Sequence, residues 1–164
     1  MNVRHIFTLL TIAAFVIVMS NCSGSKEENE SKSGNEESEP VEVADYMMKF
    51  QYFTIKLGLS IQTNNTTLAQ FYVHELDEVL ENLESKNAVD EELQITPLLK
   101  KFLIPAVDSL KNDFEKNNYA KFSAGYKNLI KNCNNCHVTA KHEFIVIEEP
   151  TQQFSGQNFS PVAK

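Results

Sequence analysis

The residues best able to do chemistry gather in one pentapeptide, Cys133-Asn134-Asn135-Cys136-His137, with two thiols three positions apart and an imidazole directly after the second. Cys-x-x-Cys-His is the spacing used to attach haem covalently. Each thiol can add across a haem vinyl group, and the following histidine is placed to ligate the iron from one side. Two other chemistries use similar parts. A redox dithiol wants a strand-helix-strand setting, and no such alternation surrounds Cys133. A structural zinc ion needs four ligands, and outside the motif the chain offers Cys22, His5, His74, His142 and scattered carboxylates. The motif therefore predicts one covalent haem c, held by Cys133 and Cys136 with His137 as the iron's proximal ligand.

The N-terminus supports chemistry outside the cytoplasm. Arg4 precedes a nearly unbroken apolar run from Ile6 to Met19, and Ser20 and Asn21 lead into Cys22, the pattern of a secretory signal over residues 1–21. Met19-Ser20-Asn21-Cys22 resembles a bacterial lipoprotein box, which predicts lipidation of Cys22 and a membrane attachment through that lipid. With Cys22 lipidated and the other two cysteines on haem, no thiol is left over, as suits an oxidising compartment. Residues 22–43 are Ser, Gly, Asn, Lys and Glu with few apolar side chains, a composition that cannot offset its ordering entropy and reads as a flexible acidic linker. Its start, Ser25-Lys26-Glu27-Glu28, fits either a surface-export signal behind the lipid or a solvated spacer. The expected location is the bacterial cell envelope, periplasmic or surface-exposed. A net charge of −7 argues against nucleic acid as a partner.

About a hundred residues, 44–145, are left to position the motif, enough for one core. Their periodicity is helical. Tyr46, Met47, Phe50, Phe53, Leu57 and Ile61 recur at threes and fours, with Met48, Tyr52, Ile55 and Leu59 beside them, so the first helix reads as buried on more than one side. After Thr63-Asn64-Asn65-Thr66 breaks the pattern, Thr66 or Thr67 is placed to cap a second helix striped by Leu68, Phe71, Tyr72, Leu76, Val79, Leu80 and Leu83. Thr96-Pro97 reads as a cap followed by proline at the first helical position. Pro105 then predicts a kink, or a short helix ending near Phe102 and a longer one behind it. A fourth helix from about Asn118 carries Phe122, Tyr126, Leu129, Ile130, Cys133, His137 and Ala140 on one face. The fold class expected is all-α, an antiparallel four-helix bundle with the motif near the end of the last helix. An extended tail, 146–164, is expected to lie partly over it.

A haem motif near the end of a four-helix chain resembles the class II c-type cytochromes, the cytochrome c′ and c556 group. More narrowly, Lys56-Leu57-Gly58-Leu59, Phe71-x-x-His74-Glu75-Leu76, Ile104-Pro105-Ala106, the haem motif itself and Phe144-Ile145-Val146-Ile147 are similar to a family of exported bacterial cytochrome-like proteins. Members of that family often carry a first-helix histidine where this chain has Thr54. The resemblance implies a left-handed antiparallel bundle with one haem c on Cys133, Cys136 and His137. It also implies a distal position that is either filled by a first-helix methionine, as in c556-like members, or left open, as in cytochromes c′. Met47 is the first choice for a distal ligand and Met48 the second, with core packing as the alternative role for both. His74 competes as a distal ligand or haem-pocket donor but reads better as a boundary residue, and His142 lies close enough behind the motif to reach a propionate or be exposed.

Single-electron transfer to redox partners of the envelope is the function these readings imply, by a carrier rather than an enzyme. An open iron that binds or senses nitric oxide or carbon monoxide is the alternative, and the aromatics Phe50, Tyr52 and Phe53 suit its distal wall as well as an ordinary core. Peroxidase-like chemistry is a weaker third reading, with His74 its one plausible acid-base group. Many cytochromes c′ pair, so homodimerisation is a further expectation carried by the resemblance.

Overall fold

The computed structural model describes residues 42–152 and 156–162. The expected signal peptide, lipidated Cys22 and nearly all of the linker lie outside the described residues. Among those described, the helical periods become real helices: α1 (Val43–Gln62), α2 (Thr66–Ser85), α3 (Thr96–Leu98), α4 (Ile104–Glu115) and α5 (Phe122–Thr139). The chain is mostly helical, with one small antiparallel hairpin, β1 (Val89–Asp90) and β2 (Leu93–Gln94), between α2 and α3. Among the described residues no helix is long and apolar enough to cross a membrane.

Sequence and local structure agree closely along α2. Ala69, Tyr72, Val73, Leu76, Val79, Leu80 and Leu83 are buried, while Phe71, expected on that stripe, is exposed. The helix is capped by Asn65, whose Oδ1 accepts from the Leu68 N–H at 3.2 Å, not by Thr66 or Thr67. Asparagine one position earlier does the same job with a carbonyl acceptor. On α1, Met48 and Tyr52 are exposed, so the buried arc is narrower than the sequence suggests. Thr96 does not cap α3 either: Ile95 holds the cap position with no side-chain bond, and the Thr96 hydroxyl is buried without a partner.

Pro105 is accommodated without a break. A π-helical turn, Leu99–Leu103, widens the helix just before Pro105, which falls in the first turn of α4. Proline removes one backbone donor and its ring crowds the preceding turn, and a wider turn at that point relieves both. The long helices then end alike. Asn64, Asn87 and Asn117, behind α1, α2 and α4, take left-handed backbone conformations, as does Lys141 behind α5. Asparagine tolerates that conformation and lysine does so less readily.

α1 packs along α2, α2 against α4, and α4 against α5, but α1 and α5 meet far less closely. Their close approach is at Gly58, where an added Cβ would lie 2.5 Å from Tyr126 Oη and 2.9 Å from Pro150 Cγ. Below that point the two helices leave a gap. Behind α5 the tail doubles back, burying Ile147 and, further on, Phe159. The Phe159 carbonyl accepts from Thr63 Oγ1 at 2.7 Å and Asn65 Nδ2 at 3.0 Å.

Candidate functional site

The gap between α1 and α5 is a cavity of about 380 Å³, inside the roughly 300–1,000 Å³ range of ligand and cofactor pockets. One wall is α5, through Cys133, Cys136 and His137; the opposite wall is α1, through Met47, Met48, Phe50, Gln51 and Thr54. Leu98, Leu99 and Leu103 close the floor, and Asp90, His142, Ile145 and Ile147 stand around it. The structure thus brings together the three residues of the motif and the expected distal candidates Met47 and Met48. Of the two methionines, Met47 is half-buried and Met48 is 62% exposed, so Met47 is the better held against the cavity.

Helical geometry places the motif. Cys133 and His137 are four apart on α5 and share a side, and the last turn of α5 carries His137. Cys133 is buried and Cys136 half-buried, and both are free thiols. Burial pushes the Cys133 thiol up to about 12, helped by the nearby Cys136, and pushes Cys136 up as well. Redox-active dithiols need the opposite shift, since the thiolate is the attacking species. Among the described residues no three His, Cys, Asp or Glu side chains converge as a metal-ligand set, which leaves a structural zinc ion short of its four ligands.

His137 is held by the returning tail. Lys141 turns the chain through its left-handed conformation, and the His142 N–H bonds the His137 carbonyl at 2.8 Å. Residues 142–147 then run back along α5. The Ile145 carbonyl comes to lie 2.7 Å from His137 Nδ1. A carbonyl can only accept, so Nδ1 carries the proton and Nε2 is left with its lone pair. That is the tautomer and the second partner that histidines binding a metal through Nε2 ordinarily have. The residues fit a large, mostly apolar prosthetic group in three respects: a roomy apolar cavity, two thiols on its wall, and an oriented imidazole with a free nitrogen.

The other expected histidines fall in different places. His74 is exposed, pairs with Glu78 at 3.2 Å on α2 and does not line the cavity. Its claims as distal ligand, pocket donor or peroxidase-like acid are therefore corrected: it is a surface residue. His142 does line the cavity, with Nδ1 3.9 Å from Asp90 Oδ2 of the hairpin. Thr54 faces the cavity with its hydroxyl already donating to the Phe50 carbonyl at 2.7 Å. Sequence reasoning missed Gln51, Asp90 and above all Asn134, whose side chain grips Ile147. The spacer positions of the motif carry no signal of their own, and the hairpin lacks the Asn-Gly or Asp-Gly turn that would have announced Asp90.

No protein-family model, no characterised protein and no solved structure matches the chain.

Proposed function

We propose that the protein is a monohaem c-type cytochrome of the class II kind, an antiparallel four-helix bundle that carries single electrons in the bacterial cell envelope, anchored through a lipid on Cys22. One observation carries the reading: in a cavity shared with two free thiols, His137 is tied through Nδ1 to the Ile145 carbonyl and keeps Nε2 for a metal. Cys133 and Cys136 would hold the haem. Each S–H adds across a vinyl double bond, the sulfur to one carbon and the hydrogen to the other, with no electrons gained or lost. When bound, the group supplies a one-electron couple.

The chain's own residues do the rest. His137 would hold the iron through Nε2, and the Ile145 carbonyl at Nδ1 would raise its basicity. Leu98, Leu99 and Leu103 exclude water from the floor, and a low-dielectric surround shifts the potential of the couple. Met47, on the facing helix and lining the same cavity, would be the second side chain to hold the iron.

A second reading has its own support. Met47 is only half-buried, and Thr54, on the same wall, has its hydroxyl bonded to its own helix. If Met47 packs rather than ligates, the distal side is an apolar wall behind which nitric oxide or carbon monoxide can bind. The absorption spectrum of protein expressed with a cytochrome c maturation system, reduced and oxidised, with and without carbon monoxide, separates the two. A low-spin spectrum with a methionine-to-iron charge-transfer band and no carbon monoxide response is the expected result. A high-spin spectrum shifted by carbon monoxide favours gas binding, and absence of covalent haem sinks both.

A further inference from the structure

We propose that Asn134, a spacer residue inside the motif, is the positioning residue for His137: it fixes the segment whose carbonyl receives the His137 Nδ1 proton. This rests on the haem reading for its consequence but not for its geometry. The Asn134 amide pairs with both main-chain groups of one residue, accepting from the Ile147 N–H at 2.8 Å and donating to the Ile147 carbonyl at 2.9 Å. Two antiparallel hydrogen bonds of this kind fix a peptide in position and in rotation. Ile145, two residues earlier, presents its carbonyl to His137.

Between the turn and Ile147 the segment is held less by side-chain burial than by such bonds. Phe144 is 77% exposed, Ile145 43% and Val146 63%, so their side chains contribute little packing. The other restraints include the turn bonds from His142 N–H to the His137 carbonyl and from Ile145 N–H to the His142 carbonyl, the His142 contacts with Asp90 and the Phe144 ring, and the buried Ile147 side chain. Asn134 and His137 are three apart on α5 and share a side, so one helix edge holds both the clasp and the residue it serves. A hydrogen bond from Nδ1 makes Nε2 a more electron-rich ligand, which favours the oxidised iron. Asn134 thereby sets the ligand strength of a residue it does not touch.

The experiment compares wild type with Asn134→Leu, which keeps the size of the side chain and removes both hydrogen bonds. In the apoprotein, the tautomer of His137 is read by long-range proton–nitrogen NMR in alkaline buffer. Wild type should hold the Nδ1–H tautomer, and Asn134→Leu should shift to a mixture. In the haem-loaded protein the reduction potential should rise. Asn65→Ala serves as the control, because it loosens the tail at Phe159, far along the chain from His137. It should lower stability and leave tautomer and potential where they were. Should Asn134→Leu fail to fold, Asn134→Asp keeps the acceptor for the Ile147 N–H, and an intermediate tautomer shift supports the proposal. An unchanged tautomer in the Asn134 variants, or an equal shift in Asn65→Ala, overturns it. Absence of covalent haem would sink the cofactor reading alone, since the tautomer measurement still decides what Asn134 does.

Discussion

The two walls of the cavity are built by different forces. On the α5 side, His137 is fixed by a hydrogen bond to a carbonyl that is itself held through a doubly bonded amide. On the α1 side, Met47 is held by packing alone, and the wall's buried hydroxyl, on Thr54, is turned back onto its own helix. Hydrogen bonds fix direction, whereas packing around a flexible thioether tolerates several conformations. The imidazole of His137 is therefore specified in orientation by the fold, and the thioether of Met47 only in neighbourhood.

The sharpest way to break the comparison is to substitute each wall in turn. His137→Ala should lower the yield of covalent haem protein by at least the roughly 10–100-fold that loss of even an outer partner costs a metal site, read by mass spectrometry and haem staining. Met47→Leu should leave that yield unchanged and open the iron to carbon monoxide. Equal losses from both would mean that the walls are not different in kind. A second test acts on stability. Gly58→Val puts a Cβ 2.5 Å from Tyr126 Oη, where the ring is buried and Pro150 stands behind it. Overpacking of this sort costs about 1–3 kcal/mol, measurable as a lower urea midpoint, and it should pry α1 from α5 on the weaker side of the cavity.

The smallest effect is a pH slope. Burial raises the folded Cys133 thiol to about 12, while an unfolded thiol titrates near about 8.5. The folded apoprotein keeps a proton that the unfolded chain loses. The stability contributed by the neutral thiol is thus complete below about pH 8.5 and lost as pH rises towards the folded value, by up to about 1.4 kcal/mol per pH unit. Urea unfolding at a series of alkaline pH values should show the slope in the apoprotein, and Cys133→Ala should reduce it, leaving the smaller part that the buried Cys136 thiol contributes. A haem thioether has no proton to lose, so loaded protein should lose the thiol part of the slope entirely.

The helices and the α5 wall were legible because both follow from spacing: apolar residues at threes and fours, and Cys133 four before His137. What could not be read are contacts that a helix makes with a chain returning beside it. The bond between His137 and Ile145 spans eight residues across a turn whose left-handed residue is Lys141, where a glycine or asparagine would have been the signal. Asn65 took the cap from two adjacent threonines because a short amide and a hydroxyl compete on nearly equal terms. Phe159, in a polar stretch, gave no period to follow, yet it is fully buried.

The tail's two fastenings differ most in the length of chain they close. Asn134 and Ile147 are 13 residues apart, Thr63 and Phe159 are 96. Closure entropy grows with the logarithm of loop length, about 0.6 kcal/mol per doubling, so the distant fastening costs roughly 2 kcal/mol more to form. During folding the near clasp can close as soon as α5 exists, while the far one must wait until α1, α2 and α5 are assembled. The geometry around His137 is thus a local property of the last helix and its return, in place before the rest of the cavity is shut.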